Sequence, residues 1–187
     1  MRDKLFKISR KIIPLLKGIF FSLLNKDVKF GSRISISSDI ICHPGCGLQI
    51  GSNFVCGKNA TISIQKRGNL KIGDNVGVGA NNQIICHGQI NIGNGPILGP
   101  NVCIYDHNHI FDFECGVSRS QYNIGEVCIG NNCWLGAGCM VLKNVHIGDN
   151  CIVGAGSVVT KDIPDCCVVV GNPAKIIKRK NIENNGL

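Results

Sequence analysis

Charged residues are scarce in this 187-residue chain, at 17% against the usual ~25%. With 44% hydrophobic residues, that scarcity excludes a disordered polyelectrolyte. No apolar run reaches bilayer thickness. The 14 residues between Lys11 and Lys26 contain Lys17 and Pro14, whereas a helical crossing needs ~20 apolar residues. No small-residue cleavage pattern follows that stretch, so no secretory leader is expected. CxxC pairs are absent too, and the twelve cysteines are therefore read as free thiols in a reducing cytosol. The body lacks net charge: residues 34–160 carry six Lys/Arg and seven Asp/Glu. A neutral body excludes a general polyanion groove, and no nucleic-acid partner is expected. What the chain has in excess is glycine, 24 residues without a G-X-Y period, which excludes collagen and points to many similar tight turns.

Positive charge collects at the ends. Residues 1–33 hold nine Lys/Arg against two Asp/Glu, and residues 161–187 hold five against three. Residues 1–27 mix basic and apolar positions and are expected to form a kinked amphipathic helix, since Pro14 and Gly18 interrupt it. Such a helix either packs on the body or a neighbouring subunit, or lies on an anionic membrane surface with Phe20, Phe21, Leu23 and Leu24 inserted.

Self-similarity dominates the rest. Ile129-Gly130, Leu135-Gly136, Val141-Leu142, Ile147-Gly148, Val153-Gly154 and Val159-Thr160 begin at steps of six. Ile72-Gly73, Val78-Gly79, Ile92-Gly93 and Leu98-Gly99 follow the same grammar, with a weaker stretch from Ile50. A period of six gives no helical face, and its glycines would each cost ~1 kcal/mol in a helix. Hairpin turns are missing, so ordinary antiparallel sheet fails as well. Three hexads per turn make a parallel β-helix with three flat faces, expected over roughly Val28–Val170. The aliphatic residue points inward, glycine follows at the corner to supply unusual backbone angles, and the fifth residue also points inward. Cys133, Cys139 and Cys151 occupy that fifth slot and read as small core hydrophobes.

After Ile104 the pattern stops, and it resumes at Ile129, 25 residues later. The excursion at about 105–127 opens with Asp106-His107-Asn108-His109. A solenoid gains nothing from such a polar loop, so a functional role is expected.

The runs IGNGPILGPNVCIYDHNH, VCIGNNCWLGAGCMVLKNVHIGDNCIVGAGSVVTKDIP and VVVGNPAKIIKR resemble the hexapeptide-repeat acyltransferases, in the galactoside, maltose and capsular-sugar O-acetyltransferase branch. The resemblance implies an all-β solenoid: a left-handed parallel β-helix over 28–172, with a short N-terminal helix at 1–27 and a short C-terminal helix or tail at 173–187. It implies acetyl transfer from acetyl-CoA to a hydroxyl of a sugar or cell-surface polysaccharide precursor, directly in a ternary complex and without a metal. His109 is the implied general base and His107 its rival. His87 and Trp134 are implied acceptor contacts. The backbone N–H of Ala137 is the implied oxyanion donor, and Ala155, Thr160 and Lys161 line the implied CoA path. Lys175 and Lys178 fall where related enzymes carry arginines that meet the CoA phosphates. His43 and His146 read as surface positions.

A homotrimer with its site between subunits is also implied, located in the cytosol or peripherally at the inner membrane surface. Serine O-acetyl transfer is a rival reaction, disfavoured because the chain shows no long helical N-terminal domain. A zinc site of the β-helix carbonic-anhydrase kind, drawing on His87, His107 and His109, is the second alternative.

Overall fold

The computed structural model describes residues 28–180, and the expected N-terminal helix lies outside the described residues. The body is a β-solenoid of three parallel sheets, and the hexapeptide period identifies it as a left-handed β-helix. Face 1 stacks Val28–Phe30, Gly47–Ile50, Asn69–Ile72, Gln89–Ile92, Glu126–Ile129 and Val145–Ile147. Face 2 stacks Ser35–Ile36, Val55–Cys56, Gly77–Val78, Ile97–Leu98, Trp134–Leu135, Ile152–Val153 and Cys167–Val170. Face 3 stacks Asp39–Cys42, Thr61–Ile64, Gln83–Cys86, Cys103–Tyr105, Met140–Val141 and Val158–Val159. The first corner joins faces 1 and 2, the second joins faces 2 and 3, and the third returns from face 3 to face 1.

Register locates the irregularity. Ile72 pairs with Ile92, Ile92 with Ile129 and Ile129 with Ile147. Val78, Leu98 and Leu135 are in register on face 2, as are Ile84, Ile104 and Val141 on face 3. Steps through the first two corners are thus always six residues in these coils, and every added residue enters at the third corner. There the 25-residue step from Ile104 to Ile129 holds a projecting antiparallel hairpin, His107–Asp112 with Gly116–Ile124.

Inside, like stacks on like. The aliphatic column and the fifth-slot residues Val76, Val102, Cys133, Cys139, Val145, Cys151 and Ser157 are buried. Burial raises the thiol of Cys133 to about 11 and shifts Cys139 and Cys151 upward, so these thiols stay protonated and behave as core. Phe54 breaks the small-residue rule of the fifth slot, yet it is fully buried in an early coil.

Two expectations need correction. The glycine after each aliphatic residue is not the residue with unusual backbone angles. Left-handed φ falls two positions later, at Asn53, Asn75, Asn101, Asn132 and Asn150, with Gly138 and Gly156 in the same role. The earlier glycine is required by close approach between coils: a Cβ on Gly99 or Gly136 would lie 2.8 Å or 2.6 Å from the backbone nitrogen of Ala137 or Ala155. The C-terminal helix or tail is also replaced, up to residue 180, by a strand. Lys175–Arg179 pairs antiparallel with Cys167–Val170. The last coil otherwise ends in unpaired backbone groups on face 2, and this strand satisfies them.

Candidate functional site

The third corner gathers the polar chemistry. Asp106 is fully buried, and its carboxylate accepts hydrogen bonds from the backbone N–H of His87 at 2.9 Å and of Gly88 at 2.8 Å. The His107 Nδ1 lies 3.2 Å from the same carboxylate. A buried carboxylate must be satisfied in this way or it destabilises the fold. The Asp106 carbonyl closes the hairpin base by accepting from the Gly125 N–H at 2.7 Å. Gly88 makes room for that base, since a Cβ there would come within 2.7 Å of the Gly125 carbonyl oxygen.

Above this anchor the rings pack. His87 stacks on His107 with centroids 3.7 Å apart, and Tyr122 from the returning hairpin strand lies 4.4 Å from His87. Burial pushes the His87 imidazolium below its ordinary range, and the adjacent His107 adds to that shift. His109 stands exposed on the outgoing strand, 4.7 Å from Tyr122 by ring centroid. Its Nδ1 lies 3.1 Å from the Ser118 carbonyl oxygen. A carbonyl only accepts, so in the neutral imidazole this bond holds the proton on Nδ1 and puts the lone pair on Nε2.

The second corner carries a different feature. Ala137 and Ala155 stand there in successive coils, and among the described residues no protein acceptor meets the N–H of either one. Both residues are exposed. The groups around Ala137 are occupied: Gly156 N–H donates to Ala137 C=O, and Gly138 N–H to Pro100 C=O. These two N–H groups form a short ladder of free donors, suited to an oxyanion and to amide carbonyls of an extended ligand.

Other predicted residues disperse. Lys175 pairs with Val170, which is level with Gly154 and so one residue before the Ala137–Ala155 column, while Lys178 pairs with Val168 further along face 2. Thr160 and Lys161 follow Val159 at the third corner, across face 3 from that column. Face 3 is about four residues wide, roughly 13 Å at ~3.3 Å per residue, so the second and third corners of one chain stand apart. Trp134 lies on face 2, opposite the third corner, and is 55% exposed between Ile97 and Ile152. It forms no part of the histidine cluster of its own chain. His87, His107 and His109 do not converge as zinc ligands would, because face-to-face stacked rings direct their in-plane lone pairs side by side. His43 and His146 are exposed. Tyr122 and Ser118 escaped sequence reading: nothing in the repeat marks them, and the hairpin register alone brings them to the histidines.

Comparison with known proteins identifies the family and the fold. Residues 129–161 match the bacterial transferase hexapeptide family, a model of six repeats. WbbJ of Escherichia coli, provisionally named a lipopolysaccharide biosynthesis O-acetyl transferase, is 35% identical over 73% of this chain and 74% of its own length. The chain belongs to the hexapeptide-repeat transferase family. The galactoside O-acetyltransferase of Lactococcus lactis is 41% identical over 60% of the chain but only 53% of its own length. An acetyltransferase-like protein of Saccharomyces cerevisiae is 39% identical, with 59% of the chain aligned to 56% of the yeast protein. The chain thus spans about half of several curated relatives. Among solved structures, a variant of the Bacillus cereus N-acyltransferase AntD, in complex with a dTDP-amino sugar and coenzyme A, superposes with a TM-score of 0.65. It shares 19% identity and covers 85% of this chain and 88% of that one, a likeness of fold.

Proposed function

We propose that this hexapeptide-repeat transferase is an acetyl-CoA-dependent sugar O-acetyltransferase with His109 as general base. The observation that carries the reading is the Nδ1 contact of His109 with the Ser118 carbonyl, which aims a basic Nε2 outward. The named activities of WbbJ and the galactoside enzyme support O-acetyl transfer to a glycan hydroxyl. His109 Nε2 takes the hydroxyl proton as the acceptor oxygen bonds to the thioester carbonyl carbon. The Ala137 N–H holds the resulting oxyanion. The C–S bond then breaks, and His109 returns its proton to the departing thiolate. Ala155, Lys161, Lys175 and Lys178 are assigned to the donor, with Lys charges meeting its phosphates.

Because His109 and Ala137 occupy different corners, we assign the site to two protomers of a homotrimer. The third corner of one protomer faces the second corner of the next, a head-to-tail contact that closes into a ring. The exposed apolar ladder of Val55, Ile97, Trp134 and Ile152 on face 2 supports such burial. In this arrangement Trp134 serves the neighbour's acceptor site.

His107 is the second reading, favoured by the Asp106 carboxylate at its Nδ1. Thiol release from acetyl-CoA with a panel of sugars separates the two. His109→Ala lowers turnover by about 10²–10⁴-fold with assembly intact. The same loss confined to His107→Ala transfers the role to His107.

A further inference from the structure

The third corner continues past the histidines onto the N-terminal coils. The donor residues lie on the C-terminal coils, so an acceptor approaches the histidines over the N-terminal ones. In those coils His43, Gln65 and His87 stand in register at the third corner: the His43 N–H donates to Ile64 C=O, and the Gln65 N–H to Cys86 C=O. The coil directly before His87 turns this corner through Gln65-Lys66-Arg67-Gly68, closed by Gly68 N–H donating to Gln65 C=O at 2.8 Å. One coil earlier His43-Pro44-Gly45-Cys46 makes a matching turn, with Cys46 N–H donating to His43 C=O at 3.2 Å.

The two turns differ at one informative position. The left-handed slot holds Gly45 with φ 76° in the first, and Arg67 with φ 69° in the second. Most other non-glycine residues at positive φ in this protein are asparagines, which tolerate that region. A bulky arginine is disfavoured there, and Arg33 with φ 58° is the other arginine that adopts this region, so the conformation sets where Arg67 leaves the turn and the case for a ligand rests on the exposed, uncompensated charge. Lys66 and Arg67 are both exposed, and neither has a carboxylate partner among the described residues. The carboxylates of the early coils are elsewhere: Asp39 begins a face 3 strand at the second corner, and Asp74 caps the Ser52 N–H at the first. Lys71 adds a further exposed cation on face 1, three residues after Gly68.

We infer that Lys66 and Arg67 form an anion subsite that holds a phosphate or diphosphate carried by the acceptor sugar, whose hydroxyl then reaches the histidine corner. This rests on the acyl-transfer reading for its setting. A guanidinium beside an ammonium, free of competing carboxylates, is the chemistry that recognises such a group. The subsite lies away from the lysines assigned to the donor, so the acceptor and donor phosphates do not compete. The group has two sources, a soluble nucleotide sugar or a lipid diphosphate sugar.

The full-length protein tests this with Lys66→Gln/Arg67→Gly, where glycine suits the left-handed slot as Gly45 does. Two measurements are needed. Inorganic pyrophosphate binding by calorimetry, without acetyl-CoA, is expected to weaken about tenfold or more in this variant. It is expected to persist in Lys175→Gln/Lys178→Gln; the reverse pattern overturns the subsite whether or not acyl transfer is found. In the thiol-release assay, wild-type kcat/KM for hexose 1-phosphates is expected to exceed that for free hexoses, and the ratio to fall about tenfold in Lys66→Gln/Arg67→Gly. A ratio that does not move overturns the proposal. UDP-sugar favoured over a short-chain polyprenyl diphosphate sugar assigns the soluble source and the opposite preference the lipid source, each in support. Neither exceeding the free sugar contradicts it.

Discussion

The first and second corners are built from the same six-residue grammar and end in opposite states. At the first corner each backbone N–H after the glycine is met by a side-chain oxygen of the next coil. Ser32 N–H donates to Ser52 Oγ, Ser52 to Asp74, Asp74 to Asn94, Asn94 to Asn131, Asn131 to Asp149 and Asp149 to Asp165. At the second corner the matching positions are Ala80, Pro100, Ala137 and Ala155, which have no side-chain oxygen to offer. The first corner is saturated and structural. The second leaves donors facing outward, and an exposed backbone donor that nothing in the chain occupies is a place for a ligand.

The sharpest way to break this comparison is to delete a donor without altering the backbone. Pro100 already occupies the position of Ala137 one coil earlier, so proline fits there. Ala137→Pro is expected to lower kcat by about 10²–10³-fold, the usual effect of losing one oxyanion donor, while the melting temperature holds. Ala80→Pro, at the same position in an early coil, is the control and leaves turnover at the wild-type level. Ala155→Pro is expected to act on the donor instead, raising KM for acetyl-CoA about tenfold, as befits one lost hydrogen bond. At the first corner the effect reverses. Asn131→Ala orphans the Asn94 N–H and is expected to cost about 0.5–1.5 kcal/mol by denaturant unfolding, with kcat unaltered. Loss of turnover in that variant would erase the distinction between the corners.

The third corner supplies the smallest effect. The folded-state pKa of His87 is lowered, so the unfolded chain takes up its proton first as the pH falls. The stability that neutral His87 contributes is present above about pH 6.5 and is lost as the pH drops through the lower folded value. His87→Gln is expected to flatten the acid side of the melting-temperature profile, and an unchanged profile would contradict the packed, neutral imidazole.

Sequence reading reached the fold because a period of six admits few alternatives, and it reached the fifth-slot cysteines because their spacing fixes their direction. It reached the histidine corner through the break after Ile104, since a solenoid has no use for that insertion. It did not reach Ser118 and Tyr122, whose meeting with His109 depends on a bulged hairpin register that no period encodes. It assigned left-handed backbone to the glycine after each aliphatic residue, because close packing between coils is invisible from one coil. It treated KIIKR as a helix or tail, because the open sheet edge that recruits Lys175–Arg179 exists only once the coils are stacked.

Complementation between inactive chains tests the central claim most directly, namely that the third corner of one protomer and the second corner of the next make one site. His109→Ala and Ala137→Pro chains, each inactive alone, are co-expressed so that trimers assemble from both. An interface that takes its histidine from the Ala137→Pro chain and its N–H donor from the His109→Ala chain is intact, so random mixing restores about a quarter of wild-type turnover. If the mixture recovers nothing beyond its parents, base and donor belong to the same chain and the composite site is wrong.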